Sequence, residues 1–133
     1  MPLTLCPNAV ADLREIRRRD AAAAATILTV LQQLKADAGL IDKLTTRGQI
    51  TSGDHVFSNQ RWQAIRAKAE LWRLRILDSP VTGYRIFHAY RWRTRRIWVL
   101  AIVERSRFDY DDIESLYARR MLRDWQRIEA GEF

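Results

Sequence analysis

Apolar residues recur at two different spacings along the chain, and the change of spacing marks its elements. Residues 71–77 (LWRLRIL) alternate strictly, with Trp72, Leu74 and Ile76 on one side and Arg73 and Arg75 on the other, which predicts a half-buried strand. Turn formers at Asp78, Ser79, Pro80 and Gly83 separate it from a second predicted strand over 84–90 (YRIFHAY), in which Arg85 points opposite to Tyr84, Ile86 and His88. A basic turn over 91–96 leads into IWVLAIV, apolar on both faces, as a central strand covered on both sides requires.

Upstream the spacing is helical. A short strand from Leu3 ends at Pro7, and Val10, Leu13 and Ile16 then form one stripe behind a predicted cap at Asn8. Asp20 caps a second helix over 21–38, with Ile27, Leu28, Leu31 and Leu34 inward and Gly39 as its terminator. Periodicity fails over 45–59, where Thr, Gly, Ser and Asp gather around Gly48 and Gly53; this stretch reads as the core of a long loop spanning 40–59. Residues 61–70 read as one or two helical turns with Trp62 and Ile65 inward. Beyond the last strand, Asp111 followed by Glu114 resembles a capping box for a final helix carrying Ile113, Leu116, Tyr117, Trp125 and Ile128 on one side. The order β-α-α-β-β-β-α predicts an α+β fold, an N-terminal helical hairpin packed on a small antiparallel sheet, as a single domain over residues 1–133.

With 47% apolar and 10% aromatic residues the chain can bury a core, so a disordered reading is excluded. The single cysteine, Cys6, cannot form an internal disulfide, and it reads as a small core residue. No secretory leader and no apolar span of ~20 residues is visible. A reduced, cytoplasmic protein without a membrane partner is expected.

Charge sharpens this picture because it is unevenly spread. The net charge is +7, yet residues 61–107 alone hold 12 basic and 3 acidic side chains, leaving the remainder slightly acidic. A field that concentrated points to a polyanion as partner. Familiar catalytic chemistry is not visible. His55 and His88 lack companions at metal-ligand spacing, and neither a phosphate-binding glycine loop nor a dinucleotide motif is present, so no metal and no cofactor are expected.

What remains is arginine on strands. Arg73 and Arg75 leave the same face about 7 Å apart, an antiparallel neighbour brings Arg85 beside them, and the end of the following strand places Arg105 or Arg107, with Tyr110, near the same margin. Guanidinium groups pair with phosphate oxygens through two hydrogen bonds, and charge builds on those oxygens as phosphorus becomes five-coordinate. A phosphodiester is therefore the matching substrate class.

The series LWRLRI, then Gly83-Tyr84-Arg85-Ile86-Phe87, then IWVLAIV, then Arg107-x-x-Tyr110 resembles the RelE/ParE superfamily of toxins from type II toxin-antitoxin systems, over roughly residues 60–120. The two N-terminal helices fall where that family's helical hairpin lies. The resemblance implies a toxin held inactive by a cognate antitoxin protein. In its RelE-like branch it implies a metal-independent endoribonuclease that cuts mRNA on the ribosome, the RNA's own 2′-hydroxyl attacking the adjacent phosphate and translation being inhibited. By position, Arg73, Arg75, Arg85, Arg107 and Tyr110 would be catalytic, and Arg91, Arg93, Arg95, Arg96 and Arg105 would bind RNA. The family's strand pair is often lysine. Arginine cannot give up its proton, so Arg73 and Arg75 are expected to clamp phosphate rather than act as bases. Phenols, titrating near ~10, are poor bases at neutral pH, and the general base is left open. Two other readings stand beside this one: a ParE-like toxin that binds and poisons DNA gyrase with no catalysis of its own, and an RNA-binding module using Trp72, Trp92 or Trp98 to stack on bases.

Overall fold

In the computed structural model, which describes residues 2–78 and 81–133, the described residues form four α-helices and one six-stranded mixed sheet. The order is β1 (Leu3–Leu5), α1 (Pro7–Arg19), α2 (Ala21–Ala36), α3 (Leu40–Leu44), β2 (Gly48–Ser52), β3 (His55–Arg61), β4 (Trp72–Ile76), β5 (Tyr84–Arg91), β6 (Arg96–Glu104) and α4 (Leu116–Glu129), with 3₁₀ turns at Gln63–Ile65 and Arg105–Arg107. In space the strands run β1-β6-β5-β4-β3-β2, β1 parallel to β6 and every other pair antiparallel. The fold is α+β as expected. Its sheet is twice as wide as the predicted meander and is mixed rather than antiparallel. Ser79 and Pro80, expected in the β4–β5 turn, lie outside the described residues.

The largest departure is the predicted loop. Residues 40–59 hold α3, β2 and most of β3, which extend the sheet beyond β4. The strands were hidden because two inward positions are polar: Ser52 donates to Asp37 Oδ2 at 2.5 Å, and Asn59 donates to the carbonyls of Leu44 and Thr46, both at 2.9 Å. Hydrogen bonding makes burial of these groups tolerable but erases the hydropathy period. The two-residue turn between them starts at Gly53, whose φ of 57° lies in the left-handed region that glycine enters without strain.

Helix boundaries also moved. Cys6, not Asn8, is the N-cap of α1, with Pro7 at the first helical position; Asn8 instead donates to Asp124 of α4 at 2.8 Å. Asp20 caps α2 as expected, accepting from Ala23 N at 3.1 Å. In α2 the inward stripe uses Val30, whereas Leu28 is exposed. The pair Asp111 and Glu114 does not open α4: Ser115 does, its hydroxyl accepting from Ala118 N, and Leu116 is 80% exposed. The buried side of α4 is Ala118, Met121, Asp124 and Ile128.

β6 justifies its doubly apolar sequence. It lies between β1 and β5, and its residues from Ile97 to Val103 are all buried. Where β1 ends, α1 takes over the free side of β6. Cys6 Sγ donates to the Leu100 carbonyl at 3.4 Å and Asp12 accepts from Ile102 N at 3.0 Å, while Arg120 of α4 grips the same Asp12 carboxylate with two bonds. Burial pushes the Cys6 thiol up to about 11, so the packed-core reading of this residue fits its surroundings. On one sheet face His88 of β5 meets Asn59 Oδ1 at 2.9 Å, and burial holds its pKa down at about 3. None of the described helices is long and apolar enough to cross a membrane.

Candidate nucleic-acid interface

The other face of the same strands carries the arginines. Alternation from the buried Trp72, Leu74 and Ile76 turns Arg73 and Arg75 away from His88 and onto the side of Phe87. Arg73 is paired with Phe87, and continuing that register by two residues sets Arg75 opposite Arg85. Like charges directly opposed on a sheet repel, at a cross-strand separation of roughly 5 Å. Arg85 is nonetheless only 8% exposed.

Its charge is held by backbone oxygens rather than by an acid. Arg85 Nη1 donates to the carbonyls of Thr82 at 2.6 Å and Tyr84 at 3.0 Å, and Arg73 Nη2 donates to Gln60 Oε1 at 2.8 Å. The Nε of Arg75 is buried without a partner. Among the described residues several acids of the neighbourhood are engaged elsewhere: Glu70 with Arg61, Glu104 with Arg19, Asp78 near His55 and Glu114 near Lys68, while Asp111 faces the same cavity as Arg73 without an ion pair. None lies within ion-pair distance of Arg73, Arg75, Arg85 or Arg105. Burial lowers the pKa of Arg73 and Arg85 below the ordinary guanidinium value; the Tyr110 hydroxyl opposes the drop, and the neighbouring cations add to it. Both arginines remain charged at any physiological pH.

Tyr110 reaches this patch through an aromatic wall. Trp62, fixed by its backbone bond to Leu71, donates its indole N–H to the Tyr110 carbonyl at 2.7 Å. Rings of Trp62, Phe87, Phe108 and Tyr110 then pack tilted or edge-to-face at centroid distances from 4.9 to 6.4 Å. The Tyr110 hydroxyl is buried with no hydrogen-bond partner. Arg105 lies 4.8 Å over the Tyr110 ring, positioned by the 3₁₀ turn that follows β6 and by its backbone bond to Gly83. A cavity of about 240 Å³ opens beside Arg73 and Tyr110, lined also by Gln60, Arg61, Trp62 and Asp111.

The structure therefore brings together Arg73, Arg75, Arg85 and Tyr110, with Arg105 as the fourth cation. Arg107, expected to be that cation, is exposed on the 3₁₀ turn and acts electrostatically on Tyr84 rather than on the cluster. The arginines at 91, 93, 95 and 96 stand at the opposite end of the β5–β6 hairpin, about 20 Å from Arg85 along the strand. Sequence reasoning missed Gln60, Arg61 and Asp111. The first two fell in a stretch where no strand was visible, and Asp111 was spent on a helix cap that Ser115 supplies.

Compared with known protein families, curated protein sequences and solved structures, the chain has no significant match.

Proposed function

We propose that the chain is a RelE/ParE-like toxin of a type II toxin-antitoxin system, acting in the cytoplasm as a metal-independent, ribosome-dependent mRNA endoribonuclease. The observation that carries this reading is the convergence of Arg73, Arg75, Arg85 and Arg105 around the Tyr110 phenol, with no described carboxylate in ion-pair contact with them. Cations gathered without ion-pair partners, Arg85 buried and Arg73 and Arg75 half-buried, are costly to maintain, and a bound phosphodiester supplies the missing counter-charge. The helical hairpin precedes β4, β5 and β6 in the chain, with α3, β2 and β3 between them, an α+β arrangement compatible with the sequence resemblance.

In the reaction the RNA 2′-oxygen bonds to phosphorus and the bond to the 5′-oxygen breaks, leaving a 2′,3′-cyclic phosphate and a 5′-hydroxyl. The 2′-hydroxyl loses its proton and the departing 5′-oxygen gains one. Arg73, Arg75 and Arg85 hold the non-bridging oxygens as charge grows on them. Tyr110 and Asp111, both lining the cavity beside Arg73, are the groups there able to exchange a proton. A cognate antitoxin would silence the toxin. The groove of about 320 Å³ between α1 and α2, lined by Val10, Leu13, Leu28 and the basic pair Arg14 and Arg17, suits an acidic amphipathic segment of such a partner.

The test is primer extension on mRNA with and without ribosomes. Codon-spaced cuts that require ribosomes support the reading; their absence sinks it. The fully formed α4 favours the second reading, a toxin that poisons DNA gyrase, since this helix is shortened or absent in some ribonuclease members of the family. Accumulation of cleaved DNA with gyrase, without any RNA cut, would select it.

A further inference from the structure

Trp92 is 71% exposed at the tip of the β5–β6 hairpin, whereas Trp62, Trp72 and Trp98 are buried. Leaving so large a ring in water forfeits a substantial burial free energy. The guanidinium of Arg93 lies 5.5 Å from the Trp92 ring. Arg91 donates to the Glu129 carbonyl at 3.1 Å, tying the hairpin to the end of α4. Arg95 holds the turn at a φ of 53°, a left-handed conformation that arginine seldom adopts. Between hairpin and helix is a cavity of about 240 Å³ lined by Tyr90, Arg91, Trp92, Arg93, Trp125 and Glu129.

We propose that this cavity is a stacking site for one unpaired base of a single-stranded RNA whose phosphates run from the hairpin arginines toward the sheet-face cluster. The proposal rests on the reading of RNA as the ligand and not on cleavage. An aromatic face with arginines beside it matches a base with its flanking phosphates. Glu129 repels phosphate but accepts a hydrogen bond from a base amino or imino group, which orients the strand with its base inward and its phosphates toward Arg91, Arg93 and Arg95. A membrane surface is the poorer match. No second large apolar residue is exposed on the hairpin, and Glu129 would face an anionic lipid headgroup.

The test uses the full chain and an unstructured octaribonucleotide, with phosphatidylserine vesicles as the competing arm. Subtracting the emission of Trp92→Phe isolates the Trp92 signal. The octamer should quench that signal, and Trp92→Ala should weaken its binding by about 5- to 100-fold, while Trp92→Phe keeps most of it. Quenching that persists in a cleavage-dead Arg73→Ala variant keeps this site even if the nuclease reading fails. Equal octamer affinity in Trp92→Ala and wild type, with no quenching, would overturn the stacking site while leaving ribosome-dependent cutting intact. A Trp92 response to vesicles and not to RNA overturns it as well.

Discussion

Two groups of arginines on one sheet have opposite surroundings. On the sheet face, Arg75 and Arg85 are opposed across a strand pair, half or fully withdrawn from water, and satisfied by backbone carbonyls or not at all. At the tip, Arg93 and Arg95 project into solvent, while Arg91 and Arg96 lean on the Glu129 carbonyl and the Thr4 hydroxyl. Charge costs little where water screens it and much where it does not. The sheet-face cluster is thus rigid and unbalanced before any ligand arrives, the condition under which an electrostatic site can stabilise a transition state without reorganising. The tip lacks that stored imbalance and suits adaptable contact along a strand.

If this contrast is right, the largest effects come from the face. Arg73→Ala or Arg85→Ala should each reduce RNA cleavage about 10²- to 10³-fold. Arg73 is the cleaner probe, since Arg85 also braces the loop at Thr82, and a thermal melt must show each variant folded. Wild-type cutting by both would erase the distinction between face and tip.

Tyr110→Phe separates catalysis from stability. The hydroxyl is buried beside Arg85 and supports its charge, so its removal should slow cleavage at least ~10-fold while leaving the melting temperature little changed. A variant that melts lower and cuts normally would make the phenol structural.

The contrast also assumes a firm platform behind the arginines, and His88 reports on it. Its pKa is about 3 in the fold and near 6.5 unfolded, so above that value the residue is neutral in both states and contributes no slope. As pH falls below ~6.5 only the unfolded chain takes up the proton, and stability should drop by about 1.4 kcal/mol per pH unit toward pH 3. Denaturant melts of His88→Gln should be flat between pH 6.5 and 4.5. Asp37, held down at about 2 first by its bond to Lys43 and then by Ser52, acts only below that range; its contribution is present above pH 3.8 and is lost as pH falls through 2.

The smallest effects belong to the tip. Arg95→Gly removes one cation and relaxes the left-handed turn, so the melting temperature should rise, by about 1–2 kcal/mol of stability, while RNA affinity falls only a few-fold. The slope of log affinity against log salt should become shallower by about 0.7. An unchanged slope would place the tip outside the RNA path.

Legibility followed chemistry rather than position. β4, β5 and β6 were visible because their periods are clean: alternating in β4, apolar throughout in β6. β2 and β3 were invisible because Ser52 and Asn59 face inward as hydrogen-bonded polar groups, which no hydropathy pattern distinguishes from a loop. At α4 two cap signals competed four residues apart, and Ser115 prevailed over Asp111 because its hydroxyl meets Ala118 N. Arg73, Arg75 and Arg85 could be named from strand alternation. Which of Arg105 and Arg107 joins them could not, because a single 3₁₀ turn sets one over the Tyr110 ring and leaves the other acting on Tyr84.

By itself the sequence determined the local matters: which strands alternate, where Asp20 starts a helix, and that positive charge gathers in the middle of the chain. Side-chain period and capping act over a few residues, so they can be read from a few residues. Only the tertiary structure decided that the sheet has six strands, that Glu70 and Glu104 pair away from the sheet-face arginines, and that one exposed tryptophan stands over a cavity shared with α4. Those outcomes depend on partners tens of residues away, whose approach is fixed by the packing of the whole core and by no local pattern.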